Sequence, residues 1–204
     1  MNDQPQIRVP GFPAIELNSS VAIDRAAPEQ LLWKADGSAF IAATPGGTWK
    51  LVLTECDGRI DAAFTGTLNK PAEFLDVTLF NVPSFAADHV LPQAVRMGGC
   101  QAYDLTAMED SAAFTGELLA SVTKNGVTLQ CSTPFHGGFP VLFQGTAEKG
   151  HIRDFRIVSP VHYHGSTEIA LPVVSFRSSS DGFALLESYG DENCDVKKTF
   201  DTPS

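Results

Sequence analysis

The sequence predicts an all-β fold, an antiparallel β-sandwich with one or two short helices. Three observations predict it. Apolar and polar residues alternate with a period of two through most of the chain. Asp-Gly and Asn-Gly dipeptides stand between such runs, where tight hairpins need positive φ at both central positions. Turn signals recur roughly every ten residues, the spacing of a sandwich or barrel. The chain has 204 residues, with 43% apolar and 19% charged, which is enough for one sizeable core. With no fixed-period repeat and no linker, residues 1–204 are expected to form a single β-sandwich domain with frayed polar ends.

In chain order, "APEQLLWKADG" (27–37) is expected to be a short helix, with Pro28 in its first turn and Gly37 closing it. "WKLVLTEC" (49–56) places Trp49, Leu51 and Leu53 on one strand face. Asp57-Gly58 turns the chain into "RIDAAFTGTL", where Ile60, Ala62 and Phe64 share a face. "EFLDVTLFNV" (73–82) is a further strand, and "SFAADHV" (84–90) reads as one or two helical turns. "GELLASVTKNGVTLQCS" (116–132) is a hairpin about Asn125-Gly126, with Cys131 on its core side. "FPVLFQGTAEKGHIRDFRIVS" (139–159) turns around Glu148-Lys149-Gly150. In "EIALPVVSF" (168–176), Pro172 marks an edge or bulged strand, since proline lacks a ladder donor. "SDGFALLESYGDEN" (180–193) is the best helix candidate: Asp181 caps it, Phe183, Leu186 and Tyr189 share a face, and Gly190 closes it.

The formal net charge is -10. Such a field repels nucleic-acid phosphates and anionic membrane surfaces, and no Lys/Arg cluster overrides it, so neither is expected as a partner. No apolar run approaches the ~18 residues that cross a bilayer. The first residues lack the basic start and apolar stretch of a signal peptide. The four cysteines, Cys56, Cys100, Cys131 and Cys194, form no CxxC pair. Free thiols in a cytoplasmic protein are the expectation, and two disulfides in a secreted form are the alternative.

Chemistry-bearing residues are few. In "HYHGSTE" (162–168), His162, His164 and Glu168 stand at His-x-His-x3-Glu spacing. Two imidazoles on one strand face and a carboxylate returning after Gly165 would suit a divalent transition metal. This spacing resembles the first metal motif of cupins, which implies a small metal-dependent β-barrel enzyme. Cupins carry a glycine where Arg156 stands and another where Ser175 stands, and no histidine follows His164 to complete the set. The competing reading is a strand-end pair with no cofactor. "FHGGFP" (135–140) sets His136 beside two glycines, a place where backbone approaches a ligand or simply bends. Trp33, beside Lys34-Ala35-Asp36-Gly37, is the tryptophan expected at the surface, where it would offer a sugar-stacking platform. No G-x-S-x-G elbow and no phosphate loop is present. Glu109-Asp110 and Asp191-Glu192 sit in polar stretches where nothing would tune a carboxylate for acid/base work.

The order of the C-terminal half carries a resemblance. "LLASVTKNGVTLQCS", then "FHGGFPVLFQGTAEKGHIRDFRIVS", then "STEIALPVVSFRSSSDGFALLESYGDE" is similar to the N-terminal β-supersandwich domain of glycoside hydrolase family 36 α-galactosidases over roughly residues 112–193. There an "lPvv" strand leads through a loop and an "aLexYgd" helix into a catalytic barrel. The resemblance implies a supersandwich-like accessory domain without catalytic residues of its own, associated with a carbohydrate, a partner protein or a catalytic domain.

Overall fold

The computed structural model describes residues 4–8, 12, 14–94, 99–100, 102–117, 119–134, 141–162 and 165–179, with the backbone alone at 94, 99, 100, 161 and 162. Every regular element in it is a strand. In chain order these are β1 (Gln6–Ile7), β2 (Ile15–Glu16), β3 (Ser20–Ile23), β4 (Glu29–Gln30), β5 (Lys34–Asp36), β6 (Ala39–Thr44), β7 (Gly47–Cys56), β8 (Arg59–Leu68) and β9 (Phe74–Ala86). After the long β9 come β10 (His89–Ala94), β11 (Gly99–Cys100), β12 (Tyr103–Asp104), β13 (Ala112–Gly116), β14 (Leu119–Lys124) and β15 (Val127–Ser132). The last four are β16 (Leu142–Glu148), β17 (His151–His162), β18 (Glu168–Ala170) and β19 (Val174–Ser179).

Two antiparallel sheets pack face to face as an open sandwich. The larger has 11 strands in the order β11-β10-β14-β15-β19-β8-β7-β6-β5, with β12 beside β10 and β18 beside β8. The smaller has six, in the order β13-β16-β17-β9-β3-β4, and β1 pairs β2 separately. The hairpins are where the dipeptides place them. Asp57 and Gly58 take φ of 49° and 73°, and Asn125 and Gly126 take 50° and 76°, the left-handed pair that matches the twist of the flanking strands. Gly150, at φ 71°, turns β16 into β17. Pro172 falls in the break between β18 and β19, so the strand expected over 168–176 is two strands.

The core lies between the sheets. Leu75, Val77 and Leu79 from β9, Ile152, Phe155 and Ile157 from β17, and Phe64, Leu129, Cys131 and Phe176 from the larger sheet are buried in it. Phe80 and Phe176 meet across the gap with ring centroids 5.2 Å apart, edge to face. That geometry stabilises by about 0.5–1.5 kcal/mol beyond area burial. Two irregularities bend the smaller sheet. Leu79 is an extra residue on β9 between Thr78 and Phe80, so Leu79 and Phe80 both turn inward. On β17, Asp154 and Phe155 together oppose Gly145, with Asp154 at φ 51°. Across from that bulge stands Pro83, in the part of β9 beyond its pairing with β3, where no ladder donor is required.

Two expected helices are strands. Residues 27–37 form β4 and β5, because "LLW" alternates with a period of two: Leu31 and Trp33 are buried, whereas Leu32 is 65% exposed. Gly37, at φ 60°, turns β5 into β6 and does not end a helix. Residues 84–90 span the end of β9, a corner and the start of β10. At that corner Ala87 N–H donates to Gly150 O at 3.1 Å and Asp88 N–H to Thr123 O at 2.7 Å, carrying the chain from one sheet to the other. The helix expected over 180–193 lies outside the described residues.

Candidate binding cavity between the sheets

Trp33 is fully buried, which corrects the expectation of a surface platform. Its indole meets Phe64 edge to face at 6.2 Å, and its Nε1–H donates to Ser19 Oγ at 3.3 Å. Trp49 is buried as well, 5.9 Å from Phe64, and donates to Thr44 Oγ1 at 3.1 Å. Both tryptophans are therefore core residues whose single polar atom is satisfied internally.

The parts of "HYHGSTE" divide between the sheets. The His162 backbone ends β17 opposite Phe74, in the smaller sheet. Glu168 begins β18 opposite Thr67, in the larger one. The Glu168 carboxylate is exposed and accepts from Thr67 Oγ1 at 3.1 Å. His164 and His136 lie outside the described residues. Among the described residues, no three His, Cys, Asp or Glu side chains converge where a metal ion would sit.

Carboxylates elsewhere are set up as fasteners. Asp88 is partly desolvated, which raises its pKa. Its hydrogen bonds from Lys124 Nζ (2.8 Å) and Asn125 N–H (2.7 Å) outweigh that and hold it below the ordinary aspartate value. Asp104 is lowered chiefly by the Thr106 hydroxyl, 2.6 Å away, with His89 Nε2 at 3.7 Å. Asp24 is lowered by the backbone N–H groups of Phe74 and Glu73. A general acid at neutral pH needs the opposite shift. Glu109 and Asp110 are exposed.

The concavity sequence reading missed lies between residues of the two sheets and the segment that joins β1 to β2. A cavity of about 100 Å³ lies against Phe12, Ile15, Val82, Phe85, Leu129 and Phe155, with Ala14 and Ser84 also on its wall. Ala14 and Ser84 are exposed, whereas Ile15, Leu129 and Phe155 are buried, so it runs from the surface inward. Phe85 and Phe155 meet edge to face at 5.8 Å on its wall. The residues come from the β1–β2 segment, β9, β15 and β17, distant in sequence and joined only by the packing of the sheets. The nearest signal in the sequence was Pro83 inside a strand pattern, which marks a departure from ordinary pairing. Because it is open at the surface and small, its apolar wall suits part of an apolar group inserted from outside, not a wholly enclosed ligand. No family model and no curated protein significantly matches this chain.

Proposed function

We propose that this chain is a non-catalytic β-sandwich domain that works by binding, and that its occupant is an apolar group presented by a partner protein. The observation that carries this reading is the cavity under Phe12. Among the described residues its wall is aliphatic and aromatic, with the Ser84 hydroxyl as the one polar side chain. Carbohydrate recognition calls for an exposed aromatic face and several convergent hydrogen-bonding groups. Both tryptophans point inward, so a partner protein is favoured over a sugar. The resemblance to the accessory domain of family 36 glycoside hydrolases supports a role without catalysis on this chain.

The test is an NMR titration of the purified chain with toluene and p-cresol, as stand-ins for Phe and Tyr side chains, and with galactose and raffinose. Saturable shifts at Ile15, Val82 and Leu129 with the aromatic probes are expected, and Ser84→Phe, which fills the mouth from an exposed position, should abolish them. Saturable binding of either sugar with no response to the aromatic probes would replace this reading by a carbohydrate one.

A further inference from the structure

We propose that Asn125-Gly126 is a self-modification site, latched by Asp88, where opening of the corner between the sheets is recorded as irreversible deamidation. It is the one Asn-Gly pair in the sequence, and both residues are exposed. The chemistry needs only these two residues and water. The Gly126 backbone nitrogen attacks Asn125 Cγ, so that a new C–N bond forms and the Cγ–Nδ2 bond breaks. The departing nitrogen takes up the proton lost from Gly126 N–H and leaves as ammonia, which closes a succinimide ring. Water then opens either carbonyl of that ring. Attack at Cγ gives aspartate at 125, and attack at the main-chain carbonyl gives isoaspartate, with the chain running through Cβ and Cγ. Glycine favours the step, since it has no Cβ to crowd the attacking nitrogen.

The turn withholds this reaction while the corner is closed. Asn125 and Gly126 take φ of 50° and 76°, and Lys124 pairs with Val127, so the loop is a two-residue type I′ turn. In that turn ψ of the first central residue is about +30°, the mirror of its type I value. The Gly126 nitrogen then lies on the side of the Cα–C bond away from Cβ, out of reach of Cγ. Ring closure requires that bond to rotate, which breaks the turn. Asp88 holds the turn against the rotation. Its carboxylate accepts from Asn125 N–H at 2.7 Å and from Lys124 Nζ at 2.8 Å. Its own N–H donates to Thr123 O at 2.7 Å. The latch thus comes from the crossing between β9 and β10, which couples freedom of the turn to opening of the corner.

The product does not fit the turn it came from. Isoaspartate inserts one extra main-chain carbon into a loop of two residues. The ladder beside it is tight: Thr123 faces Thr128, both buried, with their hydroxyls 3.0 Å apart. A longer loop disturbs the pairing of Lys124 with Val127 first. Both products also put a negative charge on the residue that the Asp88 carboxylate binds, and like charges this close repel.

The experiment ages the full chain in neutral buffer and follows position 125 by peptide mass spectrometry, with aspartate and isoaspartate distinguished. The chain unfolded in guanidinium chloride and the peptide Lys-Asn-Gly-Val give the unrestrained rate. The parent is expected to deamidate there at least about tenfold more slowly than either reference, because only the opened fraction reacts. Asp88→Ala removes both side-chain contacts of the latch and should raise the native rate about 5–30-fold. Asp88→Asn, which keeps one acceptor oxygen, takes its place if Asp88→Ala does not fold. Gly66→Ala, a destabilising change outside this hairpin, should leave the rate within about twofold of the parent. Isoaspartate protein, separated by chromatography, should unfold at lower urea than the fresh chain. A parent rate equal to the unfolded rate, or no acceleration in the Asp88 variant, overturns the proposal. Equal acceleration by Gly66→Ala overturns it too, by making global unfolding the route, and so does an unchanged urea midpoint of the isoaspartate form.

Discussion

At Gly66 a hydrogen stands where a methyl group would collide with the ring opposite. A Cβ built there lies 2.4 Å from Trp49 Cε3, and Trp49 and Gly66 are direct cross-strand partners in β7 and β8. The same pairing recurs in the other sheet between Phe114 and Gly145. In both, an aromatic ring covers the space a glycine leaves, so the glycine fixes where the ring lies. Gly66→Ala is expected to lower stability by about 1–3 kcal/mol through overpacking, measured by urea unfolding. Combining it with Trp49→Leu should cost less than the sum of the two single changes, because the ring that clashes is gone. Cysteine chemistry also separates at this scale. Cys131 is fully buried, and burial pushes its thiol up to about 12, whereas Cys56 is exposed. Since the thiolate is the nucleophile, iodoacetamide at pH 8 should modify Cys56 in the native protein and reach Cys131 only after unfolding, as read by peptide mass spectrometry. Rapid native labelling of Cys131 would show that the strands around it open readily.

The hairpin of β14 and β15 joins a local signal to a tertiary fastener. Asn125 and Gly126 set its turn, and Asp88, from the corner between β9 and β10, accepts from Asn125 N–H and from Lys124 Nζ. Gly126→Ala places a side chain at φ 76° with open space around it, so its cost is conformational and is expected to be about 1 kcal/mol. Asp88→Ala removes a charge-assisted partner from a turn amide and a lysine, and should cost about 1–2 kcal/mol at pH 7. Because folding lowers the Asp88 pKa, its contribution is fully present above the unfolded-state value. It is lost as pH falls through the lower folded-state value. Urea midpoints of the variant and the parent should therefore converge once the pH lies below the lowered folded-state value; a gap that persists there would mean that packing, and not charge, holds the corner. These elements also show what the sequence made legible. The hairpins at Asp57-Gly58 and Asn125-Gly126 could be read because positive φ at both central positions is a local demand that few residue types meet. Residues 27–37 and 84–90 misled because Pro28, Gly37 and an Ala-Ala-Asp run carry helix signals, while burial of Leu31 and Trp33 and the crossing at Ala87-Asp88 are decided by partners far away in sequence. The cavity was illegible for the same reason, its walls coming from four separated stretches.

At the scale of the whole molecule, the two sheets are joined by chain crossings and a shared apolar core, and a bound metal at "HYHGSTE" would add a further tie between them. The placement of the motif makes that tie testable. His162 ends a strand of the smaller sheet and Glu168 begins one of the larger, with Gly165 turning between them at φ 81°. A metal held by both would cross-link the sheet ends and bind only the folded state, so that its removal would lower the melting temperature. Against this, Glu168 already takes a hydrogen bond from Thr67 Oγ1 at 3.1 Å on the outer side of β8, and no histidine follows His164 to complete a ligand set. The expected outcome is background transition metal by elemental analysis of protein purified without a His tag, and a melting temperature unmoved by EDTA. His162→Ala with His164→Ala should then cost no more than a surface pair does, about 1 kcal/mol or less per site. Close to one metal ion per chain, lost on changing either histidine together with several degrees of melting temperature, would instead make the junction of the two sheets a metal centre. It would then replace the binding reading with an enzymatic one.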